Sequence, residues 1–135
     1  MTTSALMVIA HRGASSYAPE NTFSAFDLAV QMGARQLELD VHLTSDDHIV
    51  VIHDDTVNRT SNAKGSVNSY TLSALKALDA GIWFGPHFAG EQIPILEDVL
   101  NRYKGKVHFH IEIKGESTAL SKRTADLIRD REMED

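Results

Sequence analysis

The 135-residue chain reads as one α/β domain built from strand–loop–helix–strand units. Three observations carry that reading. Leu6 to Ala10 is a short unbroken apolar run ending in His11-Arg12-Gly13. Phe23, Phe26, Ala29 and Val30 recur at three- and four-residue spacing, the stripe of an amphipathic helix. The stretches 37–43 (LELDVHL) and 107–114 (VHFHIEIK) place an apolar residue at every second position, as a strand with one buried face does.

The first run suits a buried parallel strand followed by a turn. Pro19-Glu20-Asn21-Thr22 then restrains the loop, with Asn21 or Thr22 able to cap a helix that runs to about Gly33. LELDVHL is the second strand, and Ile49 to Ile52 is another β-branched run, ending in His53-Asp54-Asp55. The link between them, 44–48, is too short for a crossover helix, which favours an antiparallel hairpin. A turn centred between Asp46 and Asp47 puts Asp40 opposite His53, on one face; an irregular parallel loop would break that pairing but still bring both ends to one rim.

From Thr56 to Gln92 the composition shifts towards Ser, Asn, Gly and Lys, with a short helical pattern at Leu72, Leu75 and Leu78 behind a Thr71 cap. This segment reads as an insertion packed over the strand ends, its leucine stripe serving packing. Ile93-Pro94-Ile95-Leu96 leads into a helix through about Tyr103, closed by Lys104-Gly105. After the second alternating stretch, a polar helix covers about Thr118 to Met133, and the acids from Asp126 to Asp135 read as its solvated end.

Composition narrows the function. Nineteen acidic residues against thirteen Lys plus Arg give a net charge of -6, and no basic patch offsets it, which argues against nucleic-acid or anionic-membrane binding. With no cysteine there is no disulfide, zinc thiolate or cysteine nucleophile. Ala5 to Ala10 is too short for a membrane span or a signal peptide and lacks a basic leader, so the expectation is a soluble cytoplasmic protein.

Polar residues gather at successive strand ends: His11 and Arg12, Glu38 and Asp40, His53, then Glu112 and Lys114. In βα-barrels, different strands contribute reacting groups at their C-terminal ends. Taken singly, each group has an ordinary explanation. A Glu and an Asp two apart on a strand are usually a solvated face, and His11 or His53-Asp54-Asp55 alone is usually a turn or cap. His42, His48, His87 and His108 are read as polar filling or surface, as is His110, although it shares a face with Glu112. Together the groups carry more. Three converging carboxylates repel one another unless a cation neutralises them, and an oxygen-only set suits Mg²⁺ or Ca²⁺ better than zinc. Arg12 and Lys114 add positive charge suited to a phosphate, and two histidines can divide acid and base roles across a phosphodiester.

The stretches AHRGASSYAPENT (10–22), ELDVHLTSDDHIVVIHDDTVNRT (38–60), IPILEDVL (93–100) and HIEIK (110–114) resemble the glycerophosphodiester phosphodiesterases, in that family's order. The resemblance implies a TIM (β/α)8 barrel of the phospholipase-C-like phosphodiesterase type, with a family insertion at about 56–92. It implies His11 and His53 as the acid–base pair, Glu38, Asp40 and Glu112 as ligands of Ca²⁺ or Mg²⁺, and Arg12 and Lys114 as phosphate contacts. The implied reaction is hydrolysis of small glycerophosphodiesters to sn-glycerol 3-phosphate and an alcohol, without stable membrane association. A lipid-cleaving relative is disfavoured because no membrane-facing apolar or basic stretch is found.

A complete barrel of this type needs about 250 residues, so the chain is expected to form the N-terminal half, a single partial domain over 1–135. A half barrel leaves open sheet edges, which invite self-association or pairing with another chain, and a non-catalytic metal- or phosphate-binding half barrel is the alternative.

Overall fold

A computed structural model describes residues 5–133. It contains four strands, β1 (Ile9–His11), β2 (Gln36–Leu43), β3 (Ile49–Val51) and β4 (His108–Ile113). Four helices accompany them: α1 (Phe23–Gln31), α2 (Leu72–Lys76), α3 (Leu96–Tyr103) and α4 (Thr118–Asp130). Strand β2 is the centre of the sheet. It pairs in parallel with β1, Ile9 opposite Gln36 and His11 opposite Glu38. It pairs in parallel with β4 over a longer run, Gln36 opposite His108 through Val41 opposite Ile113. Its even-numbered carbonyls serve β1 and β3 on one edge, where Arg12 N–H donates to Glu38 O and Ile52 N–H to Asp40 O; Val41 O on the opposite edge accepts from Lys114.

The alternation read from the sequence sorts the two faces of β2. Leu37, Leu39 and Val41 are fully buried against Phe26 and Ala29 of α1, Leu96, Val99, Leu100 and Tyr103 of α3, and Leu120 of α4. Burial of such side chains stabilises by about 1.5–3 kcal/mol each. Thr22, not Asn21, caps α1, accepting from the Ala25 N–H. Asp27 of α1 is held by Arg102 and by the Tyr103 hydroxyl at 2.6 Å, which ties α1 to α3.

Two expectations are corrected. The hairpin register differs by one residue: Val41 faces Val51, so Ile52 and not His53 lies opposite Asp40. The cause is Asp47, which at φ +66° takes the left-handed conformation and makes the turn a three-residue loop closed by Thr44 and His48. The first apolar run is not a buried strand either. Leu6, Met7 and Val8 are exposed and precede β1, and Ile9 is 45% exposed. Beyond its pairing with β2, β1 meets no further strand among the described residues, so its early apolar residues have nothing to pack on.

The 56–92 segment has its own small core. Val57, Val67, Leu75 and Ala80 pack with Val50, Ile52 and Ile93, so successive residues of β3 serve different cores. Thr71 caps α2, and Leu75 is the buried member of the leucine stripe. In α4 the half-buried Asp126 pairs with Lys122, whereas positions 134 and 135 of the acidic end lie outside the described residues.

Candidate functional site

Four backbone segments deliver the site. Arg12 follows β1 at φ +60°, and Gly13 follows at φ +82°. A Cβ on Gly13 would lie 2.7–2.8 Å from Ala25, so glycine lets this turn rest against α1. Asn21, at φ +56°, donates its N–H to Arg12 O and its side-chain amide to Asp40 Oδ2, both at 3.0 Å. Two left-handed residues are thus bonded to each other, and Asn21 also to the buried carboxylate, and such strain persists where surrounding structure imposes it.

Asp40 is fully buried on the polar face of β2. Arg12 Nε lies 3.5 Å from its Oδ2, and Lys114 Nζ lies 3.5 Å from its Oδ1. Glu112 of β4 stands directly opposite Asp40 and receives Lys114 Nζ at 2.7 Å. That bond, with the lysine's charge, holds Glu112 below its usual range and raises Lys114. Glu38 accepts the Arg12 N–H at 3.1 Å, and His11 Nε2 is 3.8 Å from the same oxygen. Burial, together with the charge of Asp40 and then of Glu112, pushes Glu38 up to about 7 against the pull of Arg12.

Glu38, Asp40 and Glu112 each present an oxygen, all within 4.8 Å of one another. Glu38 Oε1 and Asp40 Oδ1 are buried without a hydrogen bond. Orphaned anionic oxygens cost free energy unless something else satisfies them, and a hard divalent cation fits this all-oxygen set. These residues could hold such an ion.

His53 lies past the end of β3, where the chain bends out of the sheet. Had the pairing continued, its side chain would have pointed to the apolar face. Instead it lines a groove of about 720 Å³ with His42, Asp54, Lys114 and Ser117. Its Nδ1 meets Asp54 Oδ1 at 2.7 Å, and its backbone oxygen contacts His42 Nε2 at 2.9 Å. His11 is largely exposed at the end of β1. His110 contacts Gln36 at 2.6 Å from an exposed position on β4.

The structure thus gathers His11, Arg12, Glu38, Asp40, Glu112 and Lys114 at one sheet end, with His53 on the adjoining groove. Sequence reasoning gave no site role to Glu20, Asn21, Asp54 or Arg59. Their signal was proximity in sequence to His11 and His53, within PENT and HDDTVNRT, but nothing in periodicity shows that position 59 returns to position 20.

A family model described as the glycerophosphoryl diester phosphodiesterase family matches residues 11–132. The YhdW protein of Bacillus subtilis (strain 168) is 61% identical over 110 residues, covering 82% of this chain and 45% of the relative. A crystal structure of glycerophosphodiester phosphodiesterase from Agrobacterium tumefaciens str. C58 superposes with a TM-score of 0.90 at 40% identity, over 96% of this chain and 55% of that one. An Oleispira antarctica phosphodiesterase, solved in complex with the product sn-glycerol-3-phosphate, gives a TM-score of 0.87 at 34% identity, over 92% of this chain and 52% of that one. The chain belongs to the glycerophosphoryl diester phosphodiesterase family. It spans about half the length of the relatives it matches, and its open sheet with flanking helices is consistent with part of a TIM barrel. Among the described residues no helix is long and apolar enough to cross a membrane.

Proposed function

We propose that this chain is the N-terminal half of a TIM-barrel glycerophosphodiester phosphodiesterase, a single partial domain, and carries the groups that cleave the phosphodiester. The observation that carries the reading is the convergence of Glu38, Asp40 and Glu112 within 4.8 Å, two of them with orphaned buried oxygens, beside Arg12 and Lys114. The substrate class is a small, soluble glycerophosphodiester such as glycerophosphocholine, and the products are sn-glycerol 3-phosphate and an alcohol. Family membership and the product complex of the Oleispira relative support that choice.

Glu38, Asp40 and Glu112 would hold Ca²⁺ or Mg²⁺, which when bound supplies a Lewis acid for the phosphoryl oxygens. Arg12 and Lys114 supply fixed charge that orients the phosphate. His11 and His53 approach from different strand ends, and one accepts the proton of the attacking oxygen while the other returns a proton to the departing alcohol oxygen. The attacking oxygen belongs to water or to the substrate's own glycerol. With its net charge of -6 the molecule does not present itself as a nucleic-acid binder, and a cytoplasmic location is proposed.

A second reading rests on the sheet edges. The outer edges of β1 and β4 find no partner strand among the described residues, so the chain could pair with a second copy or another chain as a non-catalytic binding module. Calorimetric titration of the chain with Ca²⁺ and Mg²⁺, before and after addition of glycerol 3-phosphate, tests the site. Absence of binding in both conditions overturns it. Turnover of glycerophosphocholine that a chelator abolishes supports the enzyme, whereas binding without turnover supports the module.

A further inference from the structure

Arg59 belongs to the 56–92 segment, yet its guanidinium spans two carboxylates from different parts of the site. Its Nε and one terminal nitrogen donate to the two oxygens of Asp54, at 3.0 and 2.9 Å. Its terminal nitrogens also donate to both oxygens of Glu20, at 3.0 and 2.7 Å. Glu20 in turn receives Arg12 at 3.3 Å, and Asp54 contacts His53 Nδ1 at 2.7 Å. An unbroken chain of side chains therefore runs Arg12–Glu20–Arg59–Asp54–His53, and it joins the candidate phosphate contact to the candidate proton carrier.

The geometry points to Asp54 and Arg59 as positioning residues that fix the tautomer and orientation of His53 and seat Arg12 at the same time. The inference rests on the reading of this site as a phosphodiesterase. A carboxylate only accepts hydrogen bonds, so His53 Nδ1 must carry the proton and Nε2 keeps its lone pair for the groove. An Asp with one oxygen free could rotate away or take up the proton itself. Arg59 prevents both by engaging the two oxygens as a planar fork, and its hydrogen bonds hold Asp54 far below the usual carboxylate range. For Glu20, burial works the other way, but the Arg59 bonds and charge outweigh it and keep the group low. Two forks on one guanidinium leave it little rotational freedom, so the 56–92 segment is anchored at the site by a rigid strut.

A lysine at 59 could hold one carboxylate at a time but not both forks. A shape-filling role alone would not set which nitrogen of His53 is protonated. The experiment therefore reads the tautomer directly, by long-range ¹H–¹⁵N correlation of the imidazoles of the ¹⁵N-labelled chain above the histidine titration, with His53 assigned from His53→Gln. The expected result is Nδ1–H in the wild type and a shift to Nε2–H in Asp54→Ala. Asp54→Asn, nearly isosteric, is the second variant should Asp54→Ala fail to fold, and it is expected to shift the tautomer too. In the complete barrel, Asp54→Asn should lower kcat for glycerophosphocholine by ~10²-fold or more with KM within about threefold, because the interaction serves proton transfer. Arg59→Lys should keep Nδ1–H but lower kcat by about 10-fold and raise KM, since it loosens His53 and Arg12 together. Nε2–H in the wild type, or Nδ1–H with unchanged kcat in both Asp54 variants, overturns the inference. Absence of wild-type turnover overturns the phosphodiesterase reading instead, and the tautomer then still decides whether Asp54 orients His53.

Discussion

His11 and His53 stand on different strand ends and neither contributes to the three-carboxylate cluster, so proton transfer and cation binding should separate on mutation. Replacing either histidine with Ala is expected to lower kcat by ~10²–10⁴-fold, the usual contribution of a positioned proton-transfer group, while cation affinity measured by calorimetry barely moves. Glu38→Ala should behave oppositely, weakening cation binding first and losing activity as a consequence. Loss of metal binding in His53→Ala, with full turnover in His11→Ala, would make one histidine a ligand and the other a bystander. Glu38, Asp40, Glu112 and Lys114 were legible as one group because alternation in LELDVHL and VHFHIEIK fixes which side chains share a face, and that pattern survives into the structure, whereas His53 leaves the sheet and reaches its groove from a loop. Glu20, Asn21 and Arg59 were not legible as site groups. Their placement depends on loop backbone, including Asn21 at φ +56°, which no periodicity encodes.

At the level of elements, strands and helices followed from local pattern, and the misses came from what lies between them. The hairpin register turned on one residue: Asp47 in the left-handed conformation converts a two-residue turn into a three-residue loop and moves every β3 partner of β2 by one. Leu6 to Val8 looked like buried strand because an apolar run does not say whether a neighbouring strand exists to cover it. The β1–α1 junction is sensitive to a single methyl group. Gly13 combines φ +82° with Ala25 atoms 2.7–2.8 Å from where its Cβ would be, so Gly13→Ala meets backbone strain and a steric clash together. We expect a loss of about 1–3 kcal/mol in urea unfolding, with the midpoint shifted and the m-value unchanged. Gly105→Ala is the comparison. It also has a positive φ, +76°, but nothing lies within 4 Å, so it should cost less. Equal losses at both positions would show that the contact with Ala25 does not matter.

For the whole molecule, burial of Glu38 beside Asp40 and Glu112 opposes folding while Glu38 is charged, and pH should expose this. Glu38 sits in the sheet with its folded pKa raised from 4.5 to about 7 by burial and by Asp40 and Glu112, with Arg12 opposing and His11 alongside. A group raised in this way stabilises the fold fully below its unfolded pKa, and that contribution is lost as pH rises through the folded value. The metal-free chain should therefore lose stability between about pH 4.5 and 7 on account of Glu38. Asp54, Glu20 and Asp27 are held low by Arg59 and Arg102, despite the opposing effect of burial, so their contribution has the opposite sign and disappears on acidification. The two limbs predict a melting temperature that peaks in mildly acidic buffer and falls on either side. Bound as proposed, Ca²⁺ or Mg²⁺ would compete with the proton on Glu38, so millimolar cation should lift the neutral limb while leaving the acid limb nearly unchanged. At a concentration 100 times the Kd, the gain is about 2.7 kcal/mol. Melting curves from pH 4 to 8, in chelator and in added Ca²⁺, provide the measurement. Curves that coincide at pH 8 but part at pH 4 would place the cation somewhere other than the Glu38, Asp40 and Glu112 cluster.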